Sequence, residues 1–469
     1  MTVPSRQEFS PERLARVTGG RWTSEPGGVL RGFAFDARTL NPGEVFAALS
    51  CGSRDGHAFI GQAIERGASA ALVERAQDLA LPQLVVPDTL CAMGAIGQEC
   101  RRNFGGPVVG ITGSCGKTST KEILRCLLGP ERVHATAGNW NNRIGVPMTL
   151  FGLDATRQDF AVIEAGINQP GEMAALGEMI EADLCLLTNI GAAHLELLGS
   201  REGIAREKSK LAEFARSEAP LILPADALRY PAFAALAERC IVVREAGVEA
   251  GGEAPADVRA QVSFRVEPAA DARHQRIILE QASRSEVYEL ASSSPGMAQN
   301  AALALVAAEH LGVPVDALQA RLPTWRPGAT RGRLMEHGGA LVYSDCYNAN
   351  PDSLLDALIA FTRAAPGEMP RCYVLGAMNE LGADAVALHR ECGAALRLRG
   401  SDRAIFLGPP ELTAAYEAGA RAAGADPGQL RCAEATAAIQ PAIADFSGAL
   451  FLKGSRSYQL ETLLPDNLR

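Results

Sequence analysis

Apolar residues along this chain follow two rhythms. Short continuous apolar runs, such as Phe160-Ala-Val-Ile-Glu164 and Leu184-Cys-Leu-Leu-Thr-Asn189, alternate with stretches of helical spacing, such as Glu122-Ile-Leu-Arg-Cys-Leu-Leu128. Consecutive apolar positions predict strands covered on both faces, and the helical spacing predicts the elements that cover them. The pattern begins with strands at Val29–Phe35, Val45–Leu49, Ala70–Val73 and Leu84–Val86, and helices at His57–Arg66 and Leu90–Phe104. Gly105-Gly106-Pro107 reads as a linker. Pro107–Thr112, Phe160–Glu164, Leu184–Asn189 and Leu221–Leu223 then predict a mostly parallel sheet. From Asp257 to Leu290 the rhythm turns to strict alternation, as in Gln261-Val-Ser-Phe-Arg-Val266, which predicts an antiparallel appendage. A helix over Asn300–Leu311 closes this region, and Pro323-Thr-Trp-Arg-Pro-Gly328 marks a second boundary. Strands at Leu341–Asp345, Tyr373–Gly376, Ala404–Leu407 and Ala449–Leu452 restart the alternation.

The expectation is an α/β chain of three domains. A smaller N-terminal α/β domain spans 1–104, a central domain with a P-loop and a mostly parallel sheet spans 105–325, and a C-terminal Rossmann-like domain spans 326–469. The length of 469 residues agrees, since one hydrophobic core rarely serves so long a chain. With 47% hydrophobic and 21% charged residues, the composition is that of a soluble globular protein. No apolar run reaches membrane-spanning length, and Met1-Thr-Val-Pro-Ser-Arg-Gln-Glu8 lacks the apolar core of a secretory signal. Eleven dispersed cysteines without a metal-binding spacing suggest reduced thiols, hence a cytoplasmic location. A net charge of −9 with no dense basic segment argues against a nucleic-acid partner.

The chemistry starts at Gly110-Ile-Thr-Gly-Ser-Cys-Gly-Lys-Thr118, between a strand and a helix. Such a loop aims backbone N–H groups and a helix N-terminus at a phosphate chain. Gly113, Ser114, Cys115, Gly116, Lys117, Thr118 and Ser119 would therefore hold ATP or GTP, with Lys117 on the terminal phosphates and the Thr118 hydroxyl on Mg²⁺. Cys115 sits where a helix N-terminus lowers a thiol pKa, although a small side chain for a tight turn is the simpler role. Glu164 ends an apolar strand, where a carboxylate can serve the same Mg²⁺. His194 follows the next strand and is a second candidate ligand. Lys208, on the helix expected over Arg201–Arg216, reads by itself as a solvated lysine.

These motifs together resemble the Mur ligases, most closely the branch that adds D-alanyl-D-alanine. The resemblance runs nearly the full length of the chain. It rests on Phe35-Asp-Ala-Arg38 and Arg54-Asp-Gly-His57, the glycine loop, Gly138-Asn-Trp-Asn-Asn142, Glu164, Ala193-His-Leu-Glu196 and Lys208. It continues in Asp345-Cys-Tyr-Asn-Ala-Asn-Pro-Asp-Ser353, Glu380-Leu-Gly382 and Leu452-Lys-Gly-Ser-Arg-Ser457. The glycine loop is shared with folylpolyglutamate synthases, whereas the Tyr347–Asp352 and Lys453–Arg456 segments are specific to the D-alanyl-D-alanine branch.

The resemblance implies an ATP-dependent ligase that joins D-alanyl-D-alanine to UDP-N-acetylmuramoyl-tripeptide through an acyl phosphate, working as a monomer. Asp36 and Arg38 would bind the UDP end, with Asn139 and Asn142 also on the substrate. Tyr347, Asn348, Asn350, Lys453, Ser455 and Arg456 would receive the amine substrate. Asn300 matches an adenine contact, Asp345 a ribose contact and Arg333 an arginine near the phosphates. Lys117, Glu164, His194 and Lys208 would form the catalytic group, and Thr118, Glu164, His194 and Lys208 the metal set. Lys208 matches a lysine carbamylated in this family; carbamylation needs a neutral amine, so the site must depress a lysine pKa of about 10.4. Gly328 and its flanking prolines are expected to serve as a hinge. The chain departs from the family at Ala37, Ala298, Ser209 and Ala377, none of which is a proposed metal or phosphate contact. Another ligase of the same superfamily and an ATP-binding regulator without ligase activity remain the alternative readings.

Overall fold

Continuous apolar runs do become the inner strands of parallel sheets. The computed structural model describes residues 8–51, 54–248, 257–271, 274–282, 284–337, 339–444 and 446–468, so most of the Met1–Glu8 reading lies outside it. The chain divides into two compact units. One comprises Met1–Thr112, Leu128–Leu187 and Glu207–Ile222, the other Gly113–Leu127, Thr188–Arg206 and Leu223–Arg469.

The first unit begins with a five-stranded sheet in the order Arg21–Trp22, Gln83–Val85, Ala70–Val73, Val45–Ala47, Phe33–Ala34, parallel except at Arg21–Trp22. The strand expected over Val29–Phe35 breaks into Leu30–Arg31 and Phe33–Ala34, because Gly32 takes φ +80 between them. Phe9, Phe33 and Phe151 pack edge-on and tilted in its core, with centroids 4.7–6.0 Å apart. The helix Thr89–Asn103 follows, capped by the Asp88 carboxylate on Cys91 N–H. From its last turn the fully buried Arg101 donates to the Ile180 and Glu181 carbonyls and pairs with Asp183 at 2.7 Å. Asp183 in turn accepts Val108 N–H at 2.8 Å, at the start of the next sheet. That sheet runs Val133–Ala135, Phe160–Glu164, Val108–Thr112, Leu184–Leu187, Leu221–Pro224, all parallel.

In the second unit, Cys240–Glu245 pairs in parallel with Ala260–Pro268, which opens the antiparallel meander His274–Gln281 and Arg284–Ala291. The helix closing this region is Pro295–His310, longer at its start than Asn300–Leu311, because Ser294 caps it and Pro295 can occupy the first turn. It is buried on nearly all sides from Ala298 to Ala308. The C-terminal sheet has the order Arg333–His337, Ala340–Asp345, Ala449–Lys453, Arg371–Gly376, Arg403–Leu407, Leu430–Ala433, parallel except at Arg333–His337. Tyr343, Phe361, Tyr373 and Phe451 lie in its core on one face. Among the described residues no helix is long and apolar enough to cross a membrane.

Candidate active site

The glycine loop starts where the strand Val108–Thr112 ends and passes into the helix Lys117–Leu128. Two of its glycines are obligatory. Gly113 has φ +152 and a Cβ there would lie 1.8 Å from Thr188 Oγ1; Gly116 has φ +80 and a Cβ would lie 2.4 Å from Asn300 Nδ2. The loop is held by the segment after the strand Leu184–Leu187, which ends two residues earlier than the apolar run suggested. Thr188 and Asn189 leave the sheet to bind the loop instead. Ser114 N–H donates to the Asn189 carbonyl and Cys115 N–H to Asn189 Oδ1, both at 3.1 Å. Thr188 Oγ1 donates to the Cys115 carbonyl at 2.5 Å. Ser114 Oγ accepts Gly191 N–H at 2.9 Å and donates to the Gly191 carbonyl at 3.1 Å. Lys117 Nζ donates to the Gly113 carbonyl at 2.7 Å, so the lysine already curls over its own loop. Ser119 is buried and Thr118 half-buried in the first helical turn. Cys115 is no low-pKa thiol: burial pushes it up to about 11, against the influence expected of a helix N-terminus. Its small side chain receives Asn189 Nδ2 at 3.0 Å.

Asn300 lies beneath Gly116, 5% exposed, with Oδ1 buried and unpartnered among the described residues. Next to it, Gln299 Nε2 donates to the Thr188 carbonyl at 3.2 Å. His194 adopts the left-handed conformation, φ +60, at the start of the short helix Leu195–Leu198, and its Nδ1 lies against the Glu380 carboxylate. Glu380 is also left-handed at φ +62, and the imidazole holds its carboxyl below the usual range. The turn before His194 is pinned by Asp352, which accepts Ala192 N–H at 2.7 Å and Arg201 Nη2 at 3.0 Å.

Asp345 pairs with the buried Lys453 at 2.6 Å, and Lys453 also donates to the Asn348 carbonyl. Asn348 itself is exposed. Asn350 Oδ1 accepts Ser353 N–H and caps the helix Pro351–Ala364. Ser455 Oγ accepts Asn379 N–H at 2.9 Å. The Tyr347 ring carries the Arg331 guanidinium 3.6 Å from its centroid and Arg456 at 6.0 Å. Arg333 is exposed on the edge strand opposite Ser344.

In the first unit, Glu164 is 1% exposed, and strand register sets it beside Ile111, two residues before the loop begins. Its Oε1 accepts Asn141 Nδ2 at 2.7 Å. Asn141, rather than Asn139 or Asn142, is thus the asparagine on this carboxylate. Asn139 is exposed, and Asn142 Oδ1 takes Ile144 and Gly145 N–H. A buried carboxylate oriented by an outer hydrogen bond fits a hard divalent cation. Among the described residues no group of three or more His, Cys, Asp or Glu side chains could hold a metal ion, and the metal set expected from sequence contains only two such side chains. Lys208 is 2% exposed, so the solvated-lysine reading is overturned. It lies on the inward face of the helix Arg201–Glu213, shorter than the stretch expected to Arg216. Asp36 and Arg38 form an exposed bidentate pair at 2.9 and 2.7 Å on the turn Ala37–Thr39.

Residues 111–308 match the Mur ligase middle domain and residues 331–456 the Mur ligase, glutamate ligase domain. The chain is 34% identical to the UDP-N-acetylmuramoyl-tripeptide–D-alanyl-D-alanine ligase of Escherichia coli, over 80% of each chain. The chain belongs to the Mur ligase family. Within it, solved structures of the same branch superpose on this Mur ligase over almost its whole length. MurF from Acinetobacter baumannii has a TM-score of 0.84 at 26% identity, covering 99% of both chains. MurF from Thermotoga maritima in complex with ADP has a TM-score of 0.77 at 26% identity, covering 92% of this chain and 96% of that one. No signal in this single sequence marked Asn141, Asn189 or Asp352 within the motifs that contain them. Their partners lie between 23 and 160 residues away.

Proposed function

We infer that this chain is the ATP-dependent ligase that joins D-alanyl-D-alanine to the terminal carboxylate of UDP-N-acetylmuramoyl-tripeptide, yielding ADP and phosphate, in peptidoglycan precursor synthesis. The carrying observation is its identity to the E. coli ligase of that name over most of both chains. In the first step the peptide carboxylate attacks the γ-phosphorus of ATP, forming a C–O–P bond as the bond to the β-phosphate oxygen breaks. In the second, the dipeptide amine attacks the acyl carbon, phosphate leaves, and the amine proton passes to solvent.

The physical difficulty of the first step is that two anions must meet. We assign Lys117 and the N–H groups at the start of the helix Lys117–Leu128 to take up the charge that moves during transfer. A bound Mg²⁺ would polarise the phosphoryl oxygens, and Thr118, Glu164, His194 and a carbamate on Lys208 are the residues we assign to hold it. The burial of Lys208, 2% exposed, supports the carbamate assignment. We assign Asn300 to the adenine, Asp345 to the ribose, and Arg333 to the phosphate side. Asp36, Arg38, Asn139 and Asn142 serve the UDP precursor, and Tyr347, Asn348, Asn350, Lys453, Ser455 and Arg456 the dipeptide. The three regions 1–104, 105–325 and 326–469 divide the tasks of precursor, nucleotide and amine, in a monomer working in the cytoplasm.

The test is phosphate release from ATP by the purified chain. Release that requires both UDP-N-acetylmuramoyl-tripeptide and D-alanyl-D-alanine supports the reading. ATP binding without such release would favour a nucleotide-binding regulator and overturn it.

A further inference from the structure

An acyl phosphate is consumed by water unless the amine is already in place, so the phosphate side of the site must be linked to the amine side. One carboxylate makes that link. Asp352 is the second residue of the helix Pro351–Ala364, directly after the segment Tyr347–Asn350. Its Oδ2 accepts Ala192 N–H at 2.7 Å and its Oδ1 accepts Arg201 Nη2 at 3.0 Å. The preceding residue, Gly191, leaves no room for a side chain, since a Cβ would lie 2.5 Å from Asp352 Oδ2. On its other side the same residue, Gly191, is bonded through both backbone groups to Ser114 Oγ of the phosphate loop. The turn is thus held between the loop and Asp352. A second contact reinforces it where Glu380 lies against His194 and its carbonyl accepts Glu196 N–H at 3.2 Å. Both Glu380 and His194 have positive φ, a strained state that persists only where the surroundings enforce it.

We propose that Asp352 is a positioning residue that couples the amine-binding segment to the phosphate-binding turn, so that the acyl phosphate is protected until the amine attacks. The inference rests on the ligase reading above. When Asp352 is bonded to Ala192 N–H, the turn Ile190–His194 and the loop are set together. When it is released, the acyl carbon is open to water, which attacks in place of the amine and returns carboxylate and phosphate.

The experiment compares wild type with Asp352→Ala, Asp352→Asn and Gly191→Ala, the last chosen because its Cβ would push the carboxylate from Ala192 without altering Asp352. ADP and amide product are measured together, with both substrates present, and folding is checked by thermal melting. The expected result is a kcat reduced about tenfold or more, with the ATP KM within about twofold of wild type, as for a misplaced reacting group. The ratio of ADP to amide should rise from one to above about two, a value a merely structural defect would not produce. Gly191→Ala should reproduce this, and the double variant should add little to either single change. A ratio that stays at one in every folded variant overturns the proposal. Failure of wild type to turn over ATP with both substrates would overturn the ligase reading instead.

Discussion

Gly116 at φ +80 and Gly113 at φ +152 have no space for even one methyl group, so glycine at these positions is dictated by what the loop leans on. Gly116→Ala should impose about 1–3 kcal/mol of backbone strain beside Asn300 and weaken ATP binding roughly tenfold, as measured by calorimetry. Unchanged affinity would refute the assignment of the loop to the nucleotide. Lys208 invites a different test. Its burial agrees with a modified amine, and Lys208→Ala should lose most activity and regain part of it with short carboxylic acids that replace the carbamate oxygens. Absence of rescue, with an unmodified lysine by mass spectrometry of the intact wild type, would end that assignment. The places of Lys117, at the start of a helix, and Glu164, at the end of a buried strand, were legible from their motifs. Asn141 and Asp352 were not, because their significance lies in partners that only folding supplies.

Helices and strands with a dense apolar face were plain in the sequence. Val108–Thr112 and Phe160–Glu164 match the expected runs to within a residue because every inner position is buried. Two edge strands of the C-terminal sheet were not. Leu430–Ala433 has no buried position, and Arg333–His337 has only Met335, so neither carries an apolar run to find. A polar anchor sits instead at the start of the inner strand Arg371–Gly376. Asp402, 2% exposed, accepts Arg371 and Arg399 N–H and pairs with the Arg399 guanidinium at 2.8 Å. Burial alone would raise its pKa, but these hydrogen bonds outweigh it and hold the carboxyl below its usual 3.8. A carboxyl lowered on folding stabilises the fold above its unfolded pKa and loses that contribution as pH falls through the folded one. Asp402→Asn should therefore lower Tm at pH 7, by an amount equivalent to about 1–3 kcal/mol, and flatten the loss of stability on acidification below pH 3.8. Equal acid sensitivity of variant and wild type would contradict this.

Across the whole molecule, the proposed division of one reaction among regions far apart in sequence is testable. If Lys117 serves only the phosphates, as proposed, Lys117→Ala should abolish ATP turnover while leaving UDP-precursor binding within about twofold. Loss of precursor binding would show that the tasks are not separate. By itself the sequence determined the α/β class, the glycine loop between strand and helix, and the family, because strand runs, glycine positions and motif spacing are local and survive without partners. Only the tertiary structure decided that Lys208 is buried, that burial raises the pKa of the Cys115 thiol, and that His194 faces Glu380. It also assigned Asp352 to the turn beside the phosphate loop. Burial and hydrogen-bond partners depend on packing between residues far apart in the chain, and no local pattern encodes them.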